Sequence, residues 1–235
     1  MAVYVTSDLH GYAVEAFKGH LQSVGFSEDD WLYILGDVVD RNGDGGIAML
    51  RWLLEQPNVQ LLRGNHEQMM LSSAWMLETI TEESVDALSD ENLENANRWL
   101  ANGAEPTLSS IKRLLRTRPE TVEAIMDYLR DTPLFESVEI GGRAFFLCHS
   151  GLGNFSKSKR LSEYSENELL WNRPKKEDRY FENVLTVLGH TPTWYYGCEG
   201  RAFKTETWID IDVGSADGAP PMLLRLDDMK EFYFH

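Results

Sequence analysis

The sequence predicts an α/β fold in which two β-sheets, at least one of them mixed, are flanked by helices and carry a helical insertion. Three observations predict it. The first seventy residues alternate short apolar runs with helical periodicity. The middle of the chain reads as helix. The last hundred residues return to short apolar runs separated by turns. Strand–helix alternation places parallel strands side by side with helices on their faces.

The first strand is "AVYVTS". The helix "YAVEAFKGHLQSV" follows, with Val14, Phe17, Leu21 and Val24 on one side. "WLYILG" is the second strand, "GGIAMLRWLLEQ" the second helix, which Pro57 stops, and "VQLLRG" the third strand. The strand is expected to end at Gly64 because the chain turns tightly there. From about residue 66 to 130 the pattern is helical. In "PETVEAIMDYLRD", Pro119 suits a first turn, and Val122, Ile125, Met126 and Leu129 recur at i, i+3, i+4 and i+7. "ENANRWLANG" closes on Gly103, a helix-ending glycine. Residues from about 72 to 135 therefore form an insertion beside the sheet, and 1–235 is expected to be a single domain. The β-runs "LFESVEI", "RAFFLCHS", "VLTVLGH", "TWIDIDVG" and "MLLRL" complete the chain, and Gly141-Gly142 marks a hairpin.

Composition narrows the function. The 235 residues are 43% hydrophobic, enough for a substantial core. No apolar run is long enough to span a bilayer. The start "MAVYVTSDLHG" has no basic segment or small-residue cleavage site, so no signal peptide is expected. Cys148 and Cys198 do not make a disulfide framework. A reduced, cytoplasmic protein is the expectation. The net charge of −16 argues against nucleic-acid and anionic-membrane partners. Any attraction for a phosphate must then be local.

The chemistry stands at the strand ends: Asp8-Leu9-His10, Asp37-Val38-Val39-Asp40-Arg41, Asn65-His66-Glu67, His149-Ser150 and Gly189-His190. Ligands of open α/β sheets sit outside the carboxyl ends of strands. Of six histidines, four lie in these loops, and His20 and His235 do not. Asp, His and Asn are ligands for borderline or hard divalent ions. Each fragment alone also fits ordinary turn chemistry. Their order along the chain is what argues for a metal site.

The motifs "DLHG", "GDVVDRN", "RGNHEQMM", "CHSG", "LLWNRP", "GHTPT" and "IDIDVGSADG" together resemble the calcineurin-like metallophosphoesterases. Within them the pattern is most similar to the phosphoprotein phosphatase family, of the bacteriophage lambda type. The resemblance implies a sandwich of two mixed sheets and a dinuclear centre, with Mn²⁺ as the expected ion and Fe or Zn as alternatives. Asp8 and His10 would hold the first metal, Asp37 would bridge both, and Asn65, His149 and His190 would hold the second. His66 would be the catalytic acid with Asp40 as its partner, and Arg41 and Arg173 would grip the phosphate. The implied activity is serine/threonine phosphatase chemistry on a phosphorylated protein or peptide, driven by metal-activated water. Oligomeric state is left open.

Three departures from that pattern stand out. Asn42 replaces the usual glycine after Asp-Arg and is expected to take the left-handed turn in its place. Ser150 follows His149, and "SADGAPP" replaces the usual loop near the end. Diadenosine tetraphosphate hydrolysis is the alternative, and a non-catalytic phosphate-binding protein a remote one. Those hydrolases usually carry Asp after the third-motif His; Glu67-Gln68-Met69-Met70 favours the phosphatase reading. Glu67 itself is expected to favour the dipole of the helix it starts, and Asp212 to partner the metal ligands without being one. Arg63 fits a phosphate contact and a structural one equally. "QMMLSSAWM" and Trp194-Tyr195-Tyr196 are expected to be packing.

Overall fold

The computed structural model describes residues 1–78 and 87–235. Strands β1 (Val3–Thr6), β2 (Trp31–Ile34) and β3 (Val59–Leu61) are parallel neighbours. They form one five-stranded sheet with β9 (Leu223–Arg225) and β10 (Lys230–Phe232), in the order β10-β9-β1-β2-β3. β9 runs antiparallel to β1, so the sheet is mixed. The second sheet has the order β4-β5-β6-β8-β7. β5 (Arg143–Cys148), β6 (Val184–Leu188) and β8 (Trp208–Asp210) are parallel. β4 (Phe135–Ile140) and β7 (Phe203–Lys204) flank them antiparallel.

Alternation along the strands builds the layers. Val3 and Val5 of β1 meet Phe145, Leu147, Val187 and Ile209 in the cluster between the sheets. Tyr4, Leu32, Ile34 and Leu61 face the other way, into a cluster with the helices. Helix α1 (Val14–Ser23) buries Phe17 and Leu21, and α2 (Ile47–Leu53) buries Ile47, Met49, Leu50 and Leu53. Helix α2 is shorter than its sequence pattern predicts. Gly45 and Gly46 have φ of 69° and 79°, outside the helical range, and Asp44 receives the N–H groups of Gly46 and Ala48.

Among the described residues, four α-helices lie between β3 and β4: α3 (Asn65–Ser72), α4 (Asp90–Ala101), α5 (Glu105–Thr117) and α6 (Pro119–Asp131). The expected insertion thus starts inside α3, and its residues 79–86 lie outside the described residues. Ser89 caps α4 by accepting from the Asn92 N–H. Pro119 opens α6, and Gly103, at φ 96°, ends the α4 turn, both as the sequence indicates. Trp99, Ile111, Ile125, Met69 and Met70 join the helix-side cluster, which confirms packing for the methionine-rich run. Gly141 and Gly142, at φ 59° and 79°, make the β4–β5 turn. A seventh helix, α7 (Glu166–Leu170), precedes the Trp171–Arg173 segment. Cys148 is fully buried, and burial pushes its thiol up to about 12, consistent with a core residue.

Candidate active site

The loops after β1, β2, β3, β5 and β6 converge at the carboxyl ends of their strands. They are built under backbone strain. Eight non-glycine residues among the described ones have positive φ, and six belong to these loops: Asp8, His10, Asp37, Asp40, Arg41 and His190. Such conformations persist only where the surroundings over-determine them. Here the first two loops are laced together. The N–H groups of Asp8, His10 and Gly11 donate to the carbonyls of Gly36, Asp37 and Val38 at 2.8–3.1 Å. Close approach explains two glycines. A Cβ on Gly36 would lie 2.8 Å from His149 Nδ1, and one on Gly64 would lie 2.2 Å from Asp37 Oδ1. Gly64 has an ordinary extended backbone, φ −97°. The strand therefore ends there to admit the Asp37 carboxylate, not to turn through a glycine-only conformation.

Asp37 sits at the centre, 2% exposed. Its Oδ2 lies 3.6 Å from His10 Nε2 and 3.9 Å from His66 Nε2; its Oδ1 lies 3.4 Å from His149 Nε2. Two potential ion-binding groups result, His10–Asp37–His66 and Asp37–His149–His190, with Asp37 common to both. The donor set decides what fits between them. His149 Nδ1 donates to the Leu35 carbonyl at 2.7 Å, so its Nε2 carries a lone pair. That lone pair faces Asn65 Oδ1 at 2.8 Å and His190 Nδ1 at 3.2 Å. His10 Nδ1 likewise faces the Val39 carbonyl at 3.2 Å, leaving Nε2 for the centre. Lone pairs converging on lone pairs need a cation, and these residues fit divalent ions.

Asp8 reaches the cluster through Oδ1, 3.9 Å from His10 Nε2, while its Oδ2 accepts from the His190 N–H at 2.9 Å and from the Ser7 hydroxyl. Burial, then the neighbouring Asp212, pushes the Asp8 carboxyl well up. Burial, then Asp8, does the same to Asp37. Burial pushes the His10 and His190 imidazoliums well down and that of His149 down to about 3. Gathering acceptors in a dry pocket is unfavourable alone, and bound cations reverse that sign. All six residues expected as ligands are therefore brought together. His66 lies nearer the first group than the sequence reading implied, since its Nε2 also faces Asp37.

His66 Nδ1 lies 2.6 Å from Asp40 Oδ2, so the expected pair exists. Asp40 is not a helix cap. Its carboxylate also accepts from Trp99 Nε1 at 2.8 Å and Thr107 Oγ1 at 2.6 Å. Burial raises the Asp40 carboxyl to about 6 against these hydrogen bonds. Burial, then the Arg41 charge, lowers the His66 imidazolium to about 3. No sequence pattern signals Trp99 or Thr107, which lie 59 and 67 positions from Asp40.

A cavity of about 410 Å³ opens over the centre. Arg41 and Arg173 line it, as expected for phosphate contacts, and neither forms a salt bridge among the described residues. Asn102, Trp171 and Asp212 line it too. Arg63 does not. It donates to the carbonyls of Arg130 and Thr132 and to the Gln68 side chain, a structural role. Asn42 is not left-handed; its side-chain amide donates to the Ser215 and Ala216 carbonyls, tying the second loop to the departing "SADG" segment. The aromatic triplet divides. Tyr196 is core, but Trp194 and Tyr195 are 53% and 61% exposed on the cavity rim, contrary to the packing expectation.

Glu67 does more than favour a dipole. Its two carboxylate oxygens accept from the N–H groups of Gly64, Asp37, Val38 and Val39 at 2.8–3.2 Å. It is fully buried and does not line the cavity. Its identity therefore bears on loop architecture and not directly on substrate.

Comparison with known proteins places this geometry. The family model described as calcineurin-like phosphoesterase matches residues 1–213. A symmetrical bis(5'-nucleosyl)-tetraphosphatase of Acidovorax sp. (strain JS42) is 26% identical over 153 residues, 65% of this chain and 44% of that protein. The Neisseria meningitidis serogroup A protein of the same description is 24% identical over 245 residues, 96% of this chain and 75% of that one. The chain spans about half the length of the first curated relatives it matches. A crystal structure of a candidate diadenosine tetraphosphatase superposes with TM-score 0.62 at 15% identity, covering 99% of this chain and 92% of that one, which shows a shared fold.

Proposed function

The chain belongs to the calcineurin-like phosphoesterase family, and we propose that it hydrolyses phosphoester bonds with divalent metals and that its substrate is a bis(5'-nucleosyl) tetraphosphate. The observation that carries this reading is the cavity rim. Two arginines, Arg41 and Arg173, which have no carboxylate partner among the described residues, stand beside two exposed aromatic rings, Trp194 and Tyr195. Arginine forks suit phosphoryl oxygens, and exposed aromatic faces suit nucleobases, whose stacking is worth about 1–3 kcal/mol per base. The similar Acidovorax and Neisseria proteins, described as symmetrical bis(5'-nucleosyl)-tetraphosphatases, support the same reading.

In this reading water attacks a phosphorus atom of the tetraphosphate and the bond to the leaving bridging oxygen breaks. Two divalent ions, held by Asp8, His10, Asp37, Asn65, His149 and His190, would lower the pKa of water and take up phosphoryl charge. Arg41 and Arg173 bind and orient the phosphoryl oxygens. His66 would supply a proton from Nε2 to the leaving oxygen, the negative charge of the bound polyphosphate offsetting the burial and the Arg41 charge that lower its imidazolium, and Asp40 fixes the ring through Nδ1. The phosphoprotein phosphatase reading is the second. It rests on the likeness of the His66-Glu67-Gln68-Met69-Met70 run to the phosphoprotein phosphatase pattern, and it uses the same groups with a serine or threonine alkoxide leaving.

The test is a substrate comparison. Metal-free protein reloaded with Mn²⁺ is offered diadenosine tetraphosphate and a phosphoserine peptide in parallel. Faster hydrolysis of the dinucleotide, with a higher KM on replacing Trp194 and Tyr195 by alanine, is expected. Preferential hydrolysis of the peptide overturns the proposal in favour of the second reading.

A further inference from the structure

Asp40 is held from the far side by the helical insertion. Trp99, in the last turn of α4, donates its indole N–H to Asp40 Oδ2 at 2.8 Å, the same oxygen that meets His66 Nδ1. Thr107, in the first turn of α5, reaches Asp40 Oδ1 at 2.6 Å, and its hydroxyl oxygen also lies 2.9 Å from the Asp40 N–H. Both residues are fully buried. The backbone of the same loop is fixed by the same junction. The Arg41 N–H donates to the Gly103 carbonyl at 2.9 Å, and a side chain on Gly103 would press within 3.0 Å of Arg41 Cγ. Asp40 and Arg41 sit at φ 77° and 68°, conformations that need such support. A side chain on Gly45 would in turn meet the Thr107 backbone at 2.2 Å, so the loop and the first turn of α5 are fitted to each other.

A carboxylate that orients an imidazole is useful only if it is itself held in one rotamer. We propose that Trp99 and Thr107 are positioning residues that lock the Asp40 carboxylate, and through it the proton-bearing orientation of His66. The helices between β3 and β4 are then part of the proton-delivery machinery and not only a wall of the cavity. This rests on the reading of His66 as the proton donor in phosphoester hydrolysis.

Leaving-group dependence separates positioning from general support. A p-nitrophenolate departs without a proton, whereas phenolate needs one. Trp99→Phe keeps the ring and removes the N–H; Thr107→Val keeps the shape and removes the hydroxyl. Each is expected to lower kcat on phenyl phosphate about tenfold, part of the roughly 10²–10⁴-fold a general acid supplies. On p-nitrophenyl phosphate each is expected to change kcat less than about twofold, with KM for both substrates unchanged. Thr107→Ser, which keeps the hydroxyl, should restore phenyl phosphate turnover. Equal losses on the two substrates, or unchanged phenyl phosphate turnover, overturn the proposal. If Trp99→Phe does not fold, the Thr107 pair decides alone. If the wild type takes only diadenosine tetraphosphate, the same Thr107→Val loss and Thr107→Ser recovery are read on it, and an unchanged kcat overturns the proposal; a wild type that hydrolyses neither the aryl phosphates nor the dinucleotide overturns the phosphoesterase reading itself, a distinct outcome.

Discussion

His66 faces two ways. One ring nitrogen is 2.6 Å from Asp40, and the other looks at Asp37, which the two potential ion-binding groups share. A ligand and a proton donor make different demands on that second nitrogen, since a ligand must be unprotonated. In the proposed reading it carries the proton. His66→Asn should then leave the metal content unchanged while lowering kcat on phenyl phosphate, whose leaving group needs a proton, by about 10²–10⁴-fold. Metal analysis alongside steady-state kinetics checks this; loss of one ion equivalent with the activity would make His66 a ligand. Neighbouring Asn65 shows the other half of the arrangement. Its Oδ1 stands 2.8 Å from His149 Nε2, two acceptors with no proton between them. Adjacent residues thus face different partners because the chain enters α3 at that point and sends their side chains in different directions, as the separate tasks proposed for them require.

At the scale of elements, Glu67 is the joint between α3 and the loop after β2. It lies in the first turn of α3 yet receives three N–H groups from Asp37, Val38 and Val39, about thirty residues earlier. Glu67→Ala would leave these buried donors without a carboxylate. A destabilisation of about 3–5 kcal/mol, roughly 10 °C in Tm, is expected from thermal melts of the metal-free protein. A shift smaller than about 2 °C would show that the loop holds itself. Much of this level was legible in the sequence. The strand ends could be placed because apolar runs stop abruptly on Asp8, Asp37 and Asn65, and α/β topology then brings such ends together. What was not legible has a common cause, namely contact across sequence distance without local pattern. Trp99 reads as one more apolar position of an amphipathic helix, and Thr107 as an ordinary first-turn residue. Their hydrogen bonds to Asp40 exist only once α4 and α5 are packed on the sheet. Likewise Trp194 and Tyr195 have the composition of core, and only the short turn after His190 puts them on the rim while Tyr196 goes inside.

For the whole molecule, the two mixed sheets serve to bring five loops from distant parts of the chain to one edge. Three come from the first sheet and two from the second, so the centre spans the seam between them. None of the described helices is long and apolar enough to cross a membrane. The net charge is −16, so in the proposed reading Arg41, Arg173 and bound cations would supply the local attraction for phosphate. The buried acceptors of Asp8, Asp37, His149 and His190 make the same demand from inside. In the proposed reading the centre therefore depends on Asp37, common to both potential ion-binding groups, serving two ions at once. The most direct measurement is a titration of metal-free protein with Mn²⁺, following bound metal per chain and turnover together, for the wild type and for Asp37→Asn. The account predicts that wild-type turnover reaches its plateau only with two equivalents bound, and that Asp37→Asn retains less than one and is inactive. Full turnover with a single equivalent, or two equivalents retained by Asp37→Asn, would contradict it.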